Sequence, residues 1–305
     1  MKVLVFHQPY PMGNYKLNEE VAKFFKTQGH ETYLLEQLNG NPASDEYIQA
    51  LIDEDFDLIY FEMLDLETFK VVEKLKGQKI LLQASGGVLG EYEKILEYKG
   101  TWYDKILTNS LYMSDLFKKN NISNEHFEYY FSPIQDSEKV FVEQYSNQCS
   151  FLGMGFNRLS SPDYELERQI YFRKQEFHFS IYGSGWSGIE HWRGLLPPYD
   201  IGKLYTSTQC AVGIIAKGQR EKGMINNRYS EVGSCGTPIV SYNYDTVDWF
   251  GGEQYINFIS TQKELKEKVI DIVNNPDKYE MQKQGLRNFM EVKSAEFFQK
   301  LTSLI

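Results

Sequence analysis

The sequence predicts an α/β protein made of two doubly wound domains, each with a parallel sheet between helices. Short β-branched runs alternate with amphipathic stretches of about 10 to 15 residues, which is typical of βαβ units. The alternation pauses at one polar, weakly patterned stretch, residues 132–148, and then starts again. A chain of 305 residues also suits two domains of ordinary size. We therefore expect two Rossmann-like domains that face a central cleft at the carboxyl ends of their strands.

Apolar spacing and terminal glycines define the elements of the first half. Leu17, Val21 and Phe25 recur at helical spacing, and Gly29 follows them as a helix end. Alternating apolar runs and helical patterns continue to residue 119 in the same way. Strands are expected at 3–6, 31–35, 58–61, 79–83 and 105–108, and helices at 17–28, 45–53, 66–75, 92–98 and 110–119.

The second half repeats this order. Strands are expected at 149–152, 177–182, 210–215 and 238–241, and helices at 164–174, 198–207, 228–234, 262–274 and 278–301. A glycine weakens a helix interior, so we expect the last helix to break near Gly285. The domains are accordingly placed at 1–147 and 148–285, followed by a terminal helix at 286–305 that is expected to pack back on the first domain.

The charges divide unevenly between the two halves. The whole net charge of −10 lies in residues 1–147, and residues 148–305 are balanced. Every arginine is in the second half: Arg158, Arg168, Arg173, Arg193, Arg220, Arg228 and Arg287. The planar guanidinium fork suits phosphate groups, so a site for a phosphorylated ligand is expected in the second half. Compositional drift is the alternative explanation.

Composition and spacing exclude several classes of protein. The mean hydropathy is −0.47 and no apolar run is long enough to span a membrane, so we expect a cytoplasmic protein. Three widely separated cysteines do not suggest a disulfide framework. His178 and His191 lack the spacing of metal ligands. The acidic run 53–55 fits an Asp-x-Asp metal signature, but it precedes a strand instead of ending one. We interpret it as a solvated charge cluster, and no metal site is predicted.

Two glycine pairs follow successive strands of the second half. Gly153 and Gly155 end one strand, and Gly183 and Gly185 end the next. Glycines at such positions let a phosphate approach backbone N–H groups. One such pair is usually only a turn, but two at the same sheet edge favour a binding crevice. The neighbouring residues Asn157, Arg158 and Trp186 are included in the candidate site.

The stretch 223–238 is the second candidate feature. It contains a polar loop, a short helix and a Gly-Thr-Pro turn. Amides at the helix start, near Asn226, Asn227 and Arg228, would receive an anionic phosphate. Glu231, one turn further on, could accept two ribose hydroxyls. The tight loop 192–197, which includes Arg193, could hold the edge of a base with backbone groups.

These motifs resemble the C-terminal domain of GT-B glycosyltransferases, notably the group similar to the spore-maturation protein CgeB. The most specific piece is Arg-x-x-Glu-x-x-x-Cys-Gly-Thr-Pro at 228–238, and Ile-Tyr-Gly-Ser-Gly-Trp at 181–186 also matches. The resemblance, to a domain like that of glycosyltransferase family 4, covers about residues 148–290. The first half carries only a generic Rossmann-like pattern.

The resemblance implies a role for each matching position. Glu231 would hold the nucleotide ribose, and Asn226, Asn227 and Arg228 would face the diphosphate and sugar. Gly153, Gly155 and Arg158 match the first phosphate-side loop. One position departs from the pattern, because Gly223 stands where many relatives have a second glutamate that contacts the sugar, and the nearest acid is Glu221.

Candidate acceptor-side residues lie in the first half. His7 ends the first strand, where an imidazole could take a proton from an acceptor hydroxyl near neutral pH. Glu62 ends the third strand, and Gly86 and Gly87 follow the fourth. Gly13, in the loop after His7, completes the predicted acceptor-binding set. For His7, a loop histidine held by hydrogen bonds is the alternative interpretation.

The sequence thus predicts a metal-independent glycosyltransferase without a cofactor. It would move a hexosyl or pentosyl group from a nucleoside-diphosphate sugar, expected to be a UDP-sugar, to a hydroxyl of a glycan or small acceptor. His7, Glu62 and Arg158 are the predicted catalytic residues. A modified DNA base remains open as acceptor, although the net charge of −10 disfavours a polyanion. A nucleotide-sugar epimerase, with Glu62 and Glu231 as its carboxylates, and a non-catalytic nucleotide-sugar-binding protein also remain open.

Overall fold

Two compact units make up the chain. The structure, a computed structural model, describes residues 1–7, 15–38, 41–62, 66–83, 103–126, 134–155, 170–171, 174–215, 223–224, 226–242, 250–303 and 305. The first unit consists of Met1–Glu128 together with Phe298–Ile305, and the second is Tyr129–Phe297. Among the described helices, none has both the length and the apolar character needed to cross a bilayer.

The first unit is built on a six-stranded parallel sheet in the order β2-β1-β3-β4-β5-β6. Its strands are β1 (Lys2–His7), β2 (Glu31–Glu36), β3 (Leu58–Glu62), β4 (Gln78–Gln83), β5 (Lys105–Thr108) and β6 (Asn124–His126). The described helices are α1 (Tyr15–Thr27), α2 (Asp45–Asp53), α3 (Leu66–Lys74) and α4 (Leu111–Lys119). Val3, Leu4, Val5 and Phe6 are fully buried, as expected for a strand covered on both faces.

The second unit has a five-stranded parallel sheet in the order β11-β10-β9-β7-β8. Its strands are β7 (Asn147–Leu152), β8 (Phe179–Tyr182), β9 (Thr208–Val212), β10 (Ile239–Tyr242) and β11 (Ile256–Ile259). The described α-helices are α5 (Ile201–Ser207), α6 (Asn227–Cys235), α7 (Gln262–Asn274) and α8 (Pro276–Ser303). The end of α8 belongs to the first unit, where Phe298 stacks on Phe24 with ring centroids 4.6 Å apart.

Both sheets have the same topological switch. The first strand of each unit lies between the second and the third, so the winding direction reverses between β1 and β3 and again between β7 and β9. In open α/β sheets, ligands bind at the carboxyl ends of the strands at this reversal. The topology alone therefore marks one candidate position in each unit.

Local signals in the sequence account for many element boundaries. Ser44, Ser110 and Thr261 each precede a helix and accept a hydrogen bond from a backbone N–H of its first turn. The three cysteines, Cys149, Cys210 and Cys235, are free and buried, so they pack as small residues of the core.

The predicted α/β class with two parallel sheets is confirmed, but some elements differ. The predicted break near Gly285 is wrong, because α8 runs unbroken through this position. A Cβ at Gly285 would lie 2.8 Å from Cε1 of Tyr255, so the glycine allows a ring to pack closely against the helix. Strands β6 and β11 were not predicted. The predicted helix 92–98 and most of 164–174 lie outside the described residues.

Candidate functional site

The switch point of the second sheet brings several predicted residues to one edge. Gly153 follows β7 directly, Gly183 follows β8 directly, and Asn226 is the N-cap of α6. Ile214 lies two residues beyond the end of β9. These positions are separated by up to 73 residues in the sequence, and parallel strands place their carboxyl ends at the same edge.

The two glycine loops are held together by their backbones. The N–H of Gly153 donates to the carbonyl of Tyr182 at 3.0 Å, and the N–H of Gly155 donates to that of Ser184 at 2.9 Å. Gly183 has a φ of +120°, and a Cβ there would lie 2.2 Å from the carbonyl oxygen of Gly153. The close approach therefore requires glycine at position 183.

Trp186 supports this pair of loops from inside the core. Its side chain is fully buried, and Nε1 donates to the carbonyl of Gly153 at 2.7 Å. The indole also packs edge-on against Phe151 and Tyr171. A fully buried indole in this position fixes the loop, so any part that Trp186 has in the candidate site is to position the Gly153 backbone.

Arg228 has a similar inward position at the start of α6. The residue is 8 % exposed, and its Nε donates to the carbonyl of Leu152 at 2.6 Å. Nη1 donates to the carbonyl of Ile214 at 3.2 Å, and Cζ lies 4.3 Å from the centroid of the Phe151 ring. The guanidinium is thus bound by one carbonyl at the end of β7 and one just beyond β9, whereas the sequence resemblance implied that it faces a diphosphate.

Glu231 places a buried carboxylate near the beginning of α6. The residue is 4 % exposed, and Oε1 accepts a hydrogen bond from Nδ2 of Asn227 at 3.2 Å. Because Asn227 is the first residue of the helix, this bond shows that the carboxylate extends back toward the helix start.

Burial, and secondarily the charge of Glu231, raise the pKa of Tyr205 well above its usual range.

The N-cap residue adds a polar group to the same place. Asn226 has extended backbone, with φ −86° and ψ 161°, and its side chain does not cap the helix. Within the described part of the chain, its buried Oδ1 has no hydrogen-bond partner. The first amides of a helix carry partial positive charge and bind anions. The edge therefore combines anion-binding amides with a carboxylate that can accept hydroxyl protons.

The loop that contains Arg193 joins this edge through Gly183. The carbonyl of Gly194 accepts from the N–H of Gly183 at 2.9 Å, and Nε1 of Trp192 donates to the carbonyl of Gly183 at 2.8 Å. Arg193 itself is exposed, and its Nη1 donates to the carbonyl of Glu190 at 3.1 Å. Gly185 lies in the same segment with a φ of +79°.

The first sheet places His7 and Glu62 on neighbouring strands. His7 is the last residue of β1 and Glu62 the last of β3, and these strands pair with Val5 beside Tyr60. Both residues thus end at the switch point of their sheet. The carbonyl of His7 accepts from the N–H of Gln37 at 2.8 Å. Gly13, Gly86, Gly87, Asn157 and Arg158 lie outside the described residues.

The acidic run 53–55 makes structural contacts. Oε2 of Glu54 lies 2.9 Å from Nζ of Lys2, and Oδ1 of Asp53 accepts from Gln49 within α2. This run precedes β3, so it lies at the opposite edge from His7 and Glu62. The described residues contain no group of three His, Cys, Asp or Glu side chains that could hold a metal ion.

Several groups that shape the site carry no signal in the sequence. The carbonyls of Leu152 and Ile214 bind Arg228, and Phe151 stacks on it. Backbone carbonyls are common to all residue types, so their role could not be found from the pattern. Phe151 lies inside a predicted strand and has the pattern of an ordinary core residue.

Comparison with known proteins connects this architecture to sugar-transferring enzymes. Residues 165–294, which include α6 and Glu231, match the family model described as glycosyl transferase-like. No curated protein sequence matches the chain. The two parallel sheets with their helices match solved structures of GT-B glycosyltransferases, which confirms the predicted fold class.

Three of these structures are similar over nearly all of both chains. T4 phage β-glucosyltransferase in complex with UDP-glucose has 12 % identity and a TM-score of 0.69, over 99 % of each chain. Sucrose-phosphate synthase from Thermosynechococcus elongatus has 8 % identity and a TM-score of 0.66, over 100 % of this chain and 99 % of the other. Anabaena HepE, with UDP and glucose, has 11 % identity and a TM-score of 0.61, over 99 % and 100 %.

The close approach of Gly183 to the carbonyl of Gly153 predicts that a larger residue at position 183 destabilises the protein. Gly183→Ala should lower the free energy of unfolding by about 1–3 kcal/mol more than Gly188→Ala, because overpacking is added to backbone strain. Gly188 is the matched control, since its φ is +87° but no atom lies within 4 Å of a Cβ built there. Urea unfolding followed by tryptophan fluorescence measures the difference, and equal losses in the two variants would contradict the close approach.

Proposed function

We propose that this protein is a glycosyltransferase that moves a sugar from a UDP-sugar to an acceptor hydroxyl. The observation that carries the proposal is the buried Glu231 carboxylate beside the N-terminus of α6, at the switch point of the second sheet. A helix N-terminus receives a diphosphate, and a carboxylate one turn inside accepts the two hydroxyls of a ribose. Together these groups suit a nucleoside diphosphate.

The comparisons support the same chemistry. The glycosyl transferase-like family model includes this helix. Two of the similar structures hold uridine nucleotides: the T4 phage enzyme contains UDP-glucose and Anabaena HepE contains UDP with glucose. We therefore assign a uridine nucleotide as the carrier, while the sugar is not specified by any residue of the site.

Stabilising the departing diphosphate is the main task of the proposed donor site. Glycosyl transfer passes through an oxocarbenium-like transition state, in which negative charge builds up on the leaving group. Preorganised N–H groups are effective at such a position because they need no rearrangement as the charge develops. The amides at the start of α6 would supply them, and Arg158 would add a positive charge.

The first unit would supply the acceptor side. His7 at the end of β1 is the proposed group that takes a proton from, or orients, the acceptor hydroxyl, and Glu62 at the end of β3 is its alternative. The resemblance of the donor domain to glycosyltransferase family 4, whose enzymes retain configuration, favours retention. In a retaining reaction the departing phosphate can take the proton, and His7 would then position the acceptor.

A glycan or small molecule is the first candidate acceptor, because residues 1–147 carry the entire net charge of −10. A hydroxyl-bearing modified base in DNA is the second. It is favoured by the similarity to T4 phage β-glucosyltransferase, described as a DNA-modifying enzyme, over 99 % of both chains. Salt distinguishes the two acceptors, because the binding of a polyanion such as DNA weakens steeply as the salt concentration rises.

Transfer assays separate the acceptors. The protein is incubated with UDP-glucose and either a panel of glycans and small hydroxyl compounds or a duplex with a hydroxyl-bearing base, with the unmodified duplex as control. Mass analysis then identifies the product. Submicromolar binding to duplex DNA at physiological salt would reverse the preference for a small acceptor, and an epimerised donor without transfer would indicate an epimerase.

Glu231 is the first residue to test. Glu231→Ala should weaken UDP binding by about 1–3 kcal/mol, or roughly 5- to 150-fold in Kd, because a charged hydrogen bond to the ribose is lost. Isothermal titration calorimetry measures the change. Glu267→Gln is the control, since this exposed α7 carboxylate pairs with Lys263 at 3.7 Å on the helix surface. An unchanged Kd in Glu231→Ala would remove this residue from the donor site.

His7 is tested by kinetics and product stereochemistry together. With retention, His7→Ala should mainly raise the KM for the acceptor. With inversion, the same change should lower kcat by about 10²–10⁴-fold, the usual size of general-base catalysis. NMR of the product anomer decides which case applies, and His30→Ala serves as a histidine control. An inverted product formed at the wild-type rate by His7→Ala would point to Glu62 as the base.

Metal independence is also a prediction. The proposed leaving-group stabilisation uses N–H groups and cationic side chains, so transfer should continue in excess chelator. The measurement is the initial rate with EDTA, with and without added Mg²⁺ or Mn²⁺. Complete loss of activity that either cation restores would contradict this account of the diphosphate.

A further inference from the structure

A side chain connects the β7–β9 pair beyond the point where the two strands pair through their backbones. The backbone pairing of these strands runs from Asn147 beside Thr208 to Ser150 beside Ala211. Beyond it, the carbonyls of Leu152 and Ile214 both accept hydrogen bonds from one side chain, Arg228. The guanidinium therefore links the two strands where their own pairing has ended, at the position where the sheet reverses direction.

The surroundings are shaped to hold the guanidinium in this place. Its Cζ lies 4.3 Å from the centroid of the Phe151 ring, a favourable cation–π distance. A Cβ on Gly153 would lie 2.5 Å from Nη2, so the glycine leaves room for the guanidinium. Ring, glycine and two carbonyls thus surround a cation that is 8 % exposed.

We propose that Arg228 is a positioning residue that fixes the spacing of the β7 and β9 ends, so that the Gly153 loop and Glu231 meet the donor in one arrangement. The inference rests on the proposed function for its ligand. It differs from the role implied by the sequence resemblance, in which this arginine faces the diphosphate. Arginine is required because its planar fork binds two carbonyls at a set angle, which a lysine ammonium does not reproduce.

Ligands with different numbers of phosphates distinguish the two roles. A positioning residue sets the place of Glu231, so Arg228→Lys should weaken uridine, UMP and UDP alike, by roughly 5- to 50-fold in Kd. If Arg228 instead contacted phosphate directly, its replacement would leave the affinity for uridine unchanged. The affinity for UMP would then fall, and the affinity for UDP would fall further. Calorimetry on wild type, Arg228→Lys and Arg228→Met gives the comparison, and wild-type affinity for uridine in both variants would overturn the proposal.

Hydrogen exchange tests the inference without any nucleotide. In Arg228→Lys, amides of residues 150–155 and 211–215 should exchange faster, while β11 keeps its wild-type rate. Unchanged exchange at both strand ends would overturn the proposal. If wild type binds none of the three ligands, the proposed function fails, and the exchange result still decides whether Arg228 holds the strands.

Two further variants keep the test interpretable. Gly153→Ala keeps the arginine but adds a Cβ 2.5 Å from its Nη2, so it should reproduce the exchange pattern even if Arg228→Lys folds poorly. Arg287→Lys is the matched control. From α8, Nε of Arg287 donates to the carbonyl of Cys235, the last residue of α6. Its replacement should leave hydrogen exchange at the ends of β7 and β9 unchanged.

Discussion

The guanidinium of Arg228 is the contact on which the rest of the second unit's edge depends. It is anchored to β7 through Leu152 and to the segment after β9 through Ile214, and its own backbone begins α6. One side chain therefore connects three elements that are up to 76 residues apart in the sequence. Burying a cation is costly unless it is hydrogen-bonded, so this position is stable only while both carbonyls are in place.

The same constraint explains the glycines around it. A Cβ at Gly153 would lie only 2.5 Å from Nη2, so the glycine gives the guanidinium its room, and a Cβ at Gly183 would lie only 2.2 Å from the carbonyl oxygen of Gly153. That carbonyl also accepts from Trp186, which is packed in the core. The glycines are thus explained by the close approach of backbone and side chains. A phosphate is not needed to account for them, and the N–H groups of Gly153, Gly155 and Gly183 all donate to protein carbonyls.

Much of this fold could be predicted because its signals are local. Apolar periodicity and serine or threonine caps predict most strands and helices to within a few residues. β6 was missed because Asn124–His126 is three polar residues at a sheet edge, and only its pairing to β5 makes it a strand. The last helix was predicted, but its continuity through Gly285 was not, because the Tyr255 ring that packs on this glycine comes from another part of the chain.

The site was predicted unevenly for the same physical reason. Glu231 and Asn227 are four residues apart on one helix, so their contact follows from helical spacing. The partners of Arg228 are carbonyls 76 and 14 residues away, and residue types do not encode them. A motif can therefore predict an arginine at the start of a helix, but it does not specify the direction in which the side chain points. Here the arginine side chain points inward, and Glu231, whose carboxylate also bonds to Asn227, is the charged group that the proposed donor would meet.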